Sequence, residues 1–225
     1  MKKVFPFIIL LFLAIGIQSQ NEIADSSDIL VNNYPEGVYL TYESFLDKTP
    51  SNTKRVEARD LFKPKKRIRD AMIDNCYFYY RRSKKRVKDA FAISYEGSLY
   101  FHVKSMQKLM EKKDRKQKID HKDSFVRVVD QGRYLYLEAY TRKGGGIGFG
   151  IGGGPVSVAT GGGSREELRG VIYNFEEGKF DLFRDCKDFN QFLRLGHSME
   201  EFECEKKQLP IDIVRNIIWD INRRG

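Results

Sequence analysis

Apolar and polar residues alternate with a period of two over much of this chain, and that pattern predicts strands. Pro35-Glu36-Gly37 opens into a first short strand, Val38-Tyr39-Leu40. Cys76-Tyr77-Phe78-Tyr79-Tyr80 predicts another, with Arg82-Ser83-Lys84-Lys85 as a hairpin tip and Val87 to Ser94 as the returning strand. Tyr95-Glu96-Gly97-Ser98 then turns into Leu99-Tyr100-Phe101-His102-Val103. Two further hairpins follow: Phe125 to Val129 with Arg133 to Thr141, and Glu167 to Phe175 with Phe180 to Phe183.

Helical spacing takes over between and after the strands. Thr41 is placed to cap Tyr42 to Lys48, with Phe45 and Leu46 turned inward. Lys104 to Lys113 sets Met106, Leu109 and Met110 on one side, and Glu111 to Lys122 reads as a solvated loop or helix end. Asp185 or Asp188 caps Phe189 to Leu195, and Gly196 ends that helix. Pro210 suits the first turn of a last, amphipathic helix, whose Ile211, Val214, Ile218 and Ile221 share a face. The fold class expected is α+β: a mostly antiparallel, hairpin-built sheet with short helices and a C-terminal amphipathic helix packed on it. Residues 35–225 form one domain in this reading.

One stretch departs from the pattern. Between Lys143 and Arg165 there is no charge, and more than half of the residues from Gly144 to Gly163 are glycine. Ile147, Phe149 and Ile151 alternate with glycines, Gly152-Gly153-Gly154-Pro155 supplies a turn, and Val156 and Val158 alternate with Ser157 and Ala159. The expectation is an apolar glycine-rich hairpin inserted at 144–163 between two ordinary strands. Interior glycine weakens a strand by roughly 0.5–1 kcal/mol relative to alanine, so such a hairpin needs a surface to lie on. The readings open here are a loosely tethered excursion, an apolar tongue that meets a partner, another subunit or a membrane, and a phosphate-cradling loop. The last lacks the Gly-Lys-Ser/Thr and the strand-then-helix setting of a phosphate loop.

The start of the chain has a different character. Met1-Lys2-Lys3, an apolar run from Val4 to Ile17 and Gln18-Ser19-Gln20 are the three parts of a secretory signal peptide, cut after Ser19. The run is shorter than the about 20 residues of a spanning helix. Residues 20–34 are then a polar leader. Removing Lys2 and Lys3 lowers the formal net charge from +9 to about +7. The expected location is exported: periplasmic or secreted, including the periphery of the outer membrane.

Charge is unevenly distributed. Residues 54–88 hold 14 Lys or Arg against Glu57, Asp60, Asp70 and Asp74, whereas residues 166–205 are net acidic. The simplest reading makes the basic zone a set of solubilising charges on edges and tips. The alternative is a polyanion-binding face of Arg67, Arg69, Arg81, Arg82, Lys84, Lys85 and Arg86. Export makes an anionic membrane surface, an acidic glycan or an envelope protein the expected partner, rather than nucleic acid.

Candidate chemistry is sparse. Of the three cysteines, Cys76, Cys186 and Cys204, the last two are the preferred disulfide pair because both lie in the C-terminal region. Buried thiols are the other reading. His102, His121 and His197 form neither a His-x-x-x-His pair nor the Cys/His spacing of a metal site. Cys76 with His102 is a conceivable nucleophile and base, without an identifiable third group. Neither a nucleophile elbow nor a cofactor motif is present, and no carboxylate dyad stands out.

Pro35 to Leu46, Ala90 to Phe101 and, more weakly, Cys186 to Leu193 resemble segments of uncharacterised secreted proteins of Bacteroidetes-type bacteria. The resemblance implies an envelope or secreted setting and brings no activity and no functional residue. The leading functional expectation is a non-catalytic envelope protein that binds a surface or partner through the glycine-rich hairpin and the basic face. A secreted hydrolase with an unrecognised site and a self-assembling structural protein are the alternatives.

Overall fold

The computed structural model describes residues 33–61, 74–119, 121–142, 166–204 and 209–224. The expected signal peptide at 1–19, nearly all of the expected polar leader, Arg67, Arg69 and the expected glycine-rich hairpin with Ile147, Phe149, Ile151, Val156 and Val158 lie outside the described residues. Ten strands and five helices occur among the described residues. The strands are β1 (Gly37–Tyr39), β2 (Val56–Asp60), β3 (Asn75–Tyr80), β4 (Ala92–Tyr95), β5 (Ser98–His102), β6 (Lys118–Ile119), β7 (Phe125–Gln131), β8 (Tyr134–Arg142), β9 (Glu166–Asn174) and β10 (Lys179–Leu182). The helices are α1 (Tyr42–Leu46), α2 (Val103–Leu109), α3 (Lys112–Arg115), α4 (Cys186–His197) and α5 (Ile211–Arg224). Every strand-to-strand pairing is antiparallel, in an α+β arrangement.

The sheet forks at β7. Its first residues pair with β5 on one edge and β3 on the other, whereas Val128 to Gln131 pair with β8. Pairing therefore runs β1–β4–β5–β7–β3–β2. It returns to β1 through Asn52, just ahead of β2, which exchanges backbone hydrogen bonds of 2.9 and 3.2 Å with Val38. The circuit is a small barrel. Alternate residues of its strands fill it: Val38, Val56, Ala58, Cys76, Phe78, Ile93, Tyr95, Tyr100 and Phe125.

The other branch, β8–β9–β10, is a flat wing with a core on each face. Leu135, Leu137, Ala139, Val171 and Tyr173 face Phe45 of α1 and Val103 and Met106 of α2. The intervening residues Tyr134, Tyr136 and Ile172 face Phe189 and Leu193 of α4 and Val214, Ile218 and Ile221 of α5. The period of two thus serves two layers at once. On the α5 side Glu138 is buried too. Its carboxylate accepts two 2.8 Å hydrogen bonds from Arg215 and one of 3.1 Å from the Tyr136 hydroxyl.

Local signals explain most ends. Thr41 and Ser44 form a reciprocal capping box on α1. Glu96 and Gly97 both take positive φ, 47° and 75°, in the two-residue turn that joins β4 to β5. Asp185 caps α4 by accepting from the Asp188 N–H.

Four expectations are corrected. Leu46 is exposed rather than inward, because α1 stops at Leu46 and presents only Phe45 to the core. Gly196 lies inside α4, and Ser198 takes the left-handed cap at φ 50°. Val87 to Ser94 is not one returning strand: Arg86 makes a single bridge to Tyr79, and only Ala92–Tyr95 pairs again, with β1 and β5. The stretch Glu111 to Lys122 is not uniformly solvated, since Asp114 of α3 is fully buried. Among the described residues no helix is long and apolar enough to cross a membrane.

Candidate functional site

The outer face of β2 and β3 gathers the basic residues. Alternation sends Val56, Ala58, Cys76 and Phe78 into the barrel and leaves Glu57, Arg59, Tyr77 and Tyr79 outside. Register sets Glu57 opposite Tyr79 and Arg59 opposite Tyr77. The Arg59 guanidinium reaches diagonally to lie 4.1 Å from the centre of the Tyr79 ring.

A second guanidinium comes from the turn after β3. Lys84 takes φ 56°, the Tyr80 N–H donates to the Lys85 carbonyl at 2.9 Å, and the Val87 N–H donates to the Phe78 carbonyl at 2.8 Å. Val87 is buried, so its neighbour Arg86 is held over the strand. Its guanidinium lies 4.0 Å from the Tyr77 ring centre and 5.8 Å from that of Tyr79. Each close cation–ring contact contributes roughly 0.5–1 kcal/mol at a partly exposed site. Tyr77 has its hydroxyl pKa raised, by burial first and against the pull of Arg86.

Two carboxylates tie the array together. Glu57 accepts from Arg59 at 2.6 Å and lies 3.5 Å from the Lys84 ammonium. Asp123 lies 3.5 Å from Arg86 and 3.9 Å from Lys88. Arg82 and Lys85 are exposed at the turn and form no ion pair among the described residues. Six Lys or Arg and no acid occupy positions 81–88.

The structure thus divides the five described basic candidates. Arg86 belongs to the tyrosine face, Lys84 pairs with Glu57, and Arg82 and Lys85 form the tip. Arg81 turns away: its Nε donates to the Val56 carbonyl at 3.0 Å, and the residue lines a cleft of about 410 Å³ with Lys54, Arg55, Tyr95 and Glu96. That cleft opens where the β1 and β2 backbones part beyond the Val38–Asn52 bridge. Arg59 was missed by sequence reasoning. The signal was the alternation Val56-Glu57-Ala58-Arg59, masked by the surrounding charge.

Other candidates have a structural character. Cys76 and His102 pair with opposite edges of Phe125, so a strand separates them. Burial pushes the Cys76 thiol up. His102 stacks on Phe125, places Nδ1 3.3 Å from the Ser105 hydroxyl, and is pushed down to about 4 by burial. It is a neutral packing residue. Cys186 and Cys204 are joined as a disulfide that ties the start of α4 to the extended segment after it. Asn190 makes the same connection by exchanging two 2.9 Å hydrogen bonds with the Phe202 backbone.

An acid pair with one fully buried member escaped the sequence reading. Asp114 of α3 faces Asp181 of β10, with Arg184 3.4 Å away and bound also to Asp188. Burial first, then the neighbouring Asp181 carboxyl, raises Asp114 to about 7, and burial raises Asp181 as well. Asp181 and Asp188 line a cleft of about 500 Å³, from which Asp114 is sealed. No group of three or more His, Cys, Asp or Glu among the described residues is arranged to hold a metal ion. Compared with protein-family models, curated proteins and solved structures, the chain matches none of them.

Proposed function

We propose that this is a non-catalytic, exported protein that docks on an anionic surface through the outer face of β2 and β3 and the turn 81–85. The signal-peptide pattern at Met1 to Ser19 supports export to the envelope or beyond. The observation that carries the docking reading is the contrast within the basic segment. Arg59 and Arg86 are laid on tyrosine rings at fixed positions, while Arg82 and Lys85 stand beside them without an ion pair among the described residues. A purely solubilising set of charges needs no such ordering. Electrostatic steering from the exposed pair and a pre-arranged guanidinium pair behind it together make a dock. In this reading the uncharged glycine-rich segment, 144–163, serves as an apolar insertion or assembly element.

The test is retention of the mature protein on an immobilised sulfated polymer across a rising salt gradient. The double variant Arg82→Ala/Lys85→Ala elutes at lower salt than the native protein, whereas Lys187→Ala on α4 elutes unchanged. Failure of the native protein to bind at low salt, or identical elution of the double variant, removes the docking function.

A further inference from the structure

We infer that the occupant of the β2–β3 face is a carboxylate-bearing polysaccharide, an inference that rests on the docking function proposed above. Three features of the face select among polyanions.

The tyrosine rings are not open platforms. Arg59 covers Tyr79 and Arg86 covers Tyr77, at 4.1 and 4.0 Å from the ring centres. Single-stranded nucleic acid is held by bases stacked on free aromatic faces, and this face offers none on either residue. What it presents instead is a pair of guanidiniums laid over the rings: Arg59 turns Nε and Nη2 to Glu57 and Arg86 turns Nη1 to Asp123, which leaves Nη1 of Arg59 and Nε and Nη2 of Arg86 for a ligand. A planar fork suits the planar, bidentate geometry of a carboxylate better than a mobile ammonium does.

Among the described residues the face also lacks an anchor for lipid. The large apolar residues exposed among the described residues are Leu40, Leu46, Phe175, Leu195 and Trp219, and none belongs to β2, β3 or the turn. Interfacial membrane binding joins a basic face to apolar side chains that enter the acyl boundary. On β2 and β3 the outward residues between the charges are two half-buried tyrosines.

Finally, the array carries acceptors as well as donors. Asp123 is 38% exposed while bridging Arg86 and Lys88, and it keeps lone pairs for a hydroxyl donor. A uronic acid polymer supplies both partners on one chain: ring carboxylates for Arg59 and Arg86, and ring hydroxyls for Asp123. A polypeptide rich in glutamate supplies the charge without the hydroxyls.

The experiment compares binding of the mature protein to polygalacturonate, polyglutamate, neutral dextran and phosphatidylglycerol vesicles by calorimetry in one buffer. Polygalacturonate binds about ten-fold or more tighter than polyglutamate, because it alone satisfies both guanidiniums and Asp123. Arg59→Lys/Arg86→Lys keeps the charge and loses about ten-fold in polygalacturonate affinity; an unaltered melting temperature shows that this loss is not unfolding. Equal binding of polyglutamate, or an undiminished lysine variant, overturns the polysaccharide. Binding to vesicles without binding to polygalacturonate also overturns it, yet leaves the anionic dock standing. Binding to none of the anionic probes removes both.

Discussion

The guanidinium of Arg86 lies 4.0 Å from the centre of the Tyr77 ring, and this contact turns a run of charges into a surface. Arg86 follows β3 by only a few residues, but it returns over the outer face because buried Val87 pins the chain beside Phe78. The same geometry leaves Arg82 and Lys85 at the tip of the turn. Placement, more than the number of charges, distinguishes this face from the other basic stretches of the chain.

Asp114 makes stability fall as pH rises. Its folded pKa of about 7 lies above the ordinary value of 3.8, so the folded state holds a proton that the unfolded state has released. The stability it supplies is present in full below about pH 4 and is lost as pH rises through about 7. The charged groups that face it are Asp181 of β10, Lys113 and Glu111 beside it, and Arg184 and Asp188 at the start of α4. Between pH 5 and pH 8 this group lowers stability by on the order of 3 kcal/mol, against an opposing rise from His102, whose pKa is pushed down to about 4; urea unfolding of the native protein and of an Asn variant at both pH values separates the two. Asp114→Asn stays neutral and removes that fall, so from pH 5 to pH 8 the variant gains stability relative to the native protein. An identical pH dependence in the two proteins assigns the sensitivity elsewhere.

Arg215→Ala strands a charge. Glu138 is 2% exposed and loses both of its 2.8 Å hydrogen bonds, keeping only the one from Tyr136, whereas Arg215 itself is half exposed. Solvent reaching that side of the pair reduces the cost below that of a fully buried one, to about 2 kcal/mol. Glu138→Gln costs less, because its amide still accepts from Arg215 or Tyr136. Denaturant midpoints of the two variants rank them, and a milder effect from Arg215→Ala contradicts this geometry.

Gly132 is required by close approach in the β7–β8 turn. A Cβ there meets the Asn222 Cβ at 2.6 Å and its carbonyl oxygen at 2.7 Å. Asn222 cannot yield easily. Its side chain donates to Asp130 at 2.7 Å and accepts from the Tyr134 N–H at 2.9 Å, which docks α5 on the turn. Gly132→Ala is expected to cost about 2 kcal/mol, read as a lowered melting temperature. A neutral substitution means that α5 is not held at this turn.

Much of the wing and most strands of the barrel were legible in the sequence; β2 and the closure of the barrel were not. Leu135 and Leu137 alternate with Tyr134 and Tyr136, and each set meets its own helix layer, so a period of two is visible without tertiary knowledge. In β2 only Val56 and Ala58 carry the inward pattern, and Glu57 and Arg59 hide it within a basic run. Closure of the barrel depends on Val38 meeting Asn52, and no local signal marks that bridge. The site is divided in the same way: Arg82, Lys84, Lys85 and Arg86 were legible as a charge run, but Arg59 joins them only through cross-strand register. Burial of Asp114 in a highly charged stretch likewise comes from packing against β10 and α4, which sequence periodicity does not report.

Excision of the glycine-rich segment leaves the sheet intact. β8 and β9 are antiparallel neighbours in unbroken register from Tyr134↔Asn174 to Arg142↔Glu166. Replacing residues 143–165 by Asn-Gly therefore closes an ordinary two-residue hairpin. Circular dichroism and the melting temperature of the shortened protein are expected to match those of the native chain. Loss of the cooperative transition means that the segment contributes to the core.

The most direct test of the dock is a hydrogen-exchange footprint of the mature protein with and without polygalacturonate. Protection is expected in β2, β3 and the turn 81–88, and it disappears in Arg59→Lys/Arg86→Lys. Protection confined to α4, α5 or the cleft beside Asp181, with β2 and β3 unchanged, contradicts a dock on this face.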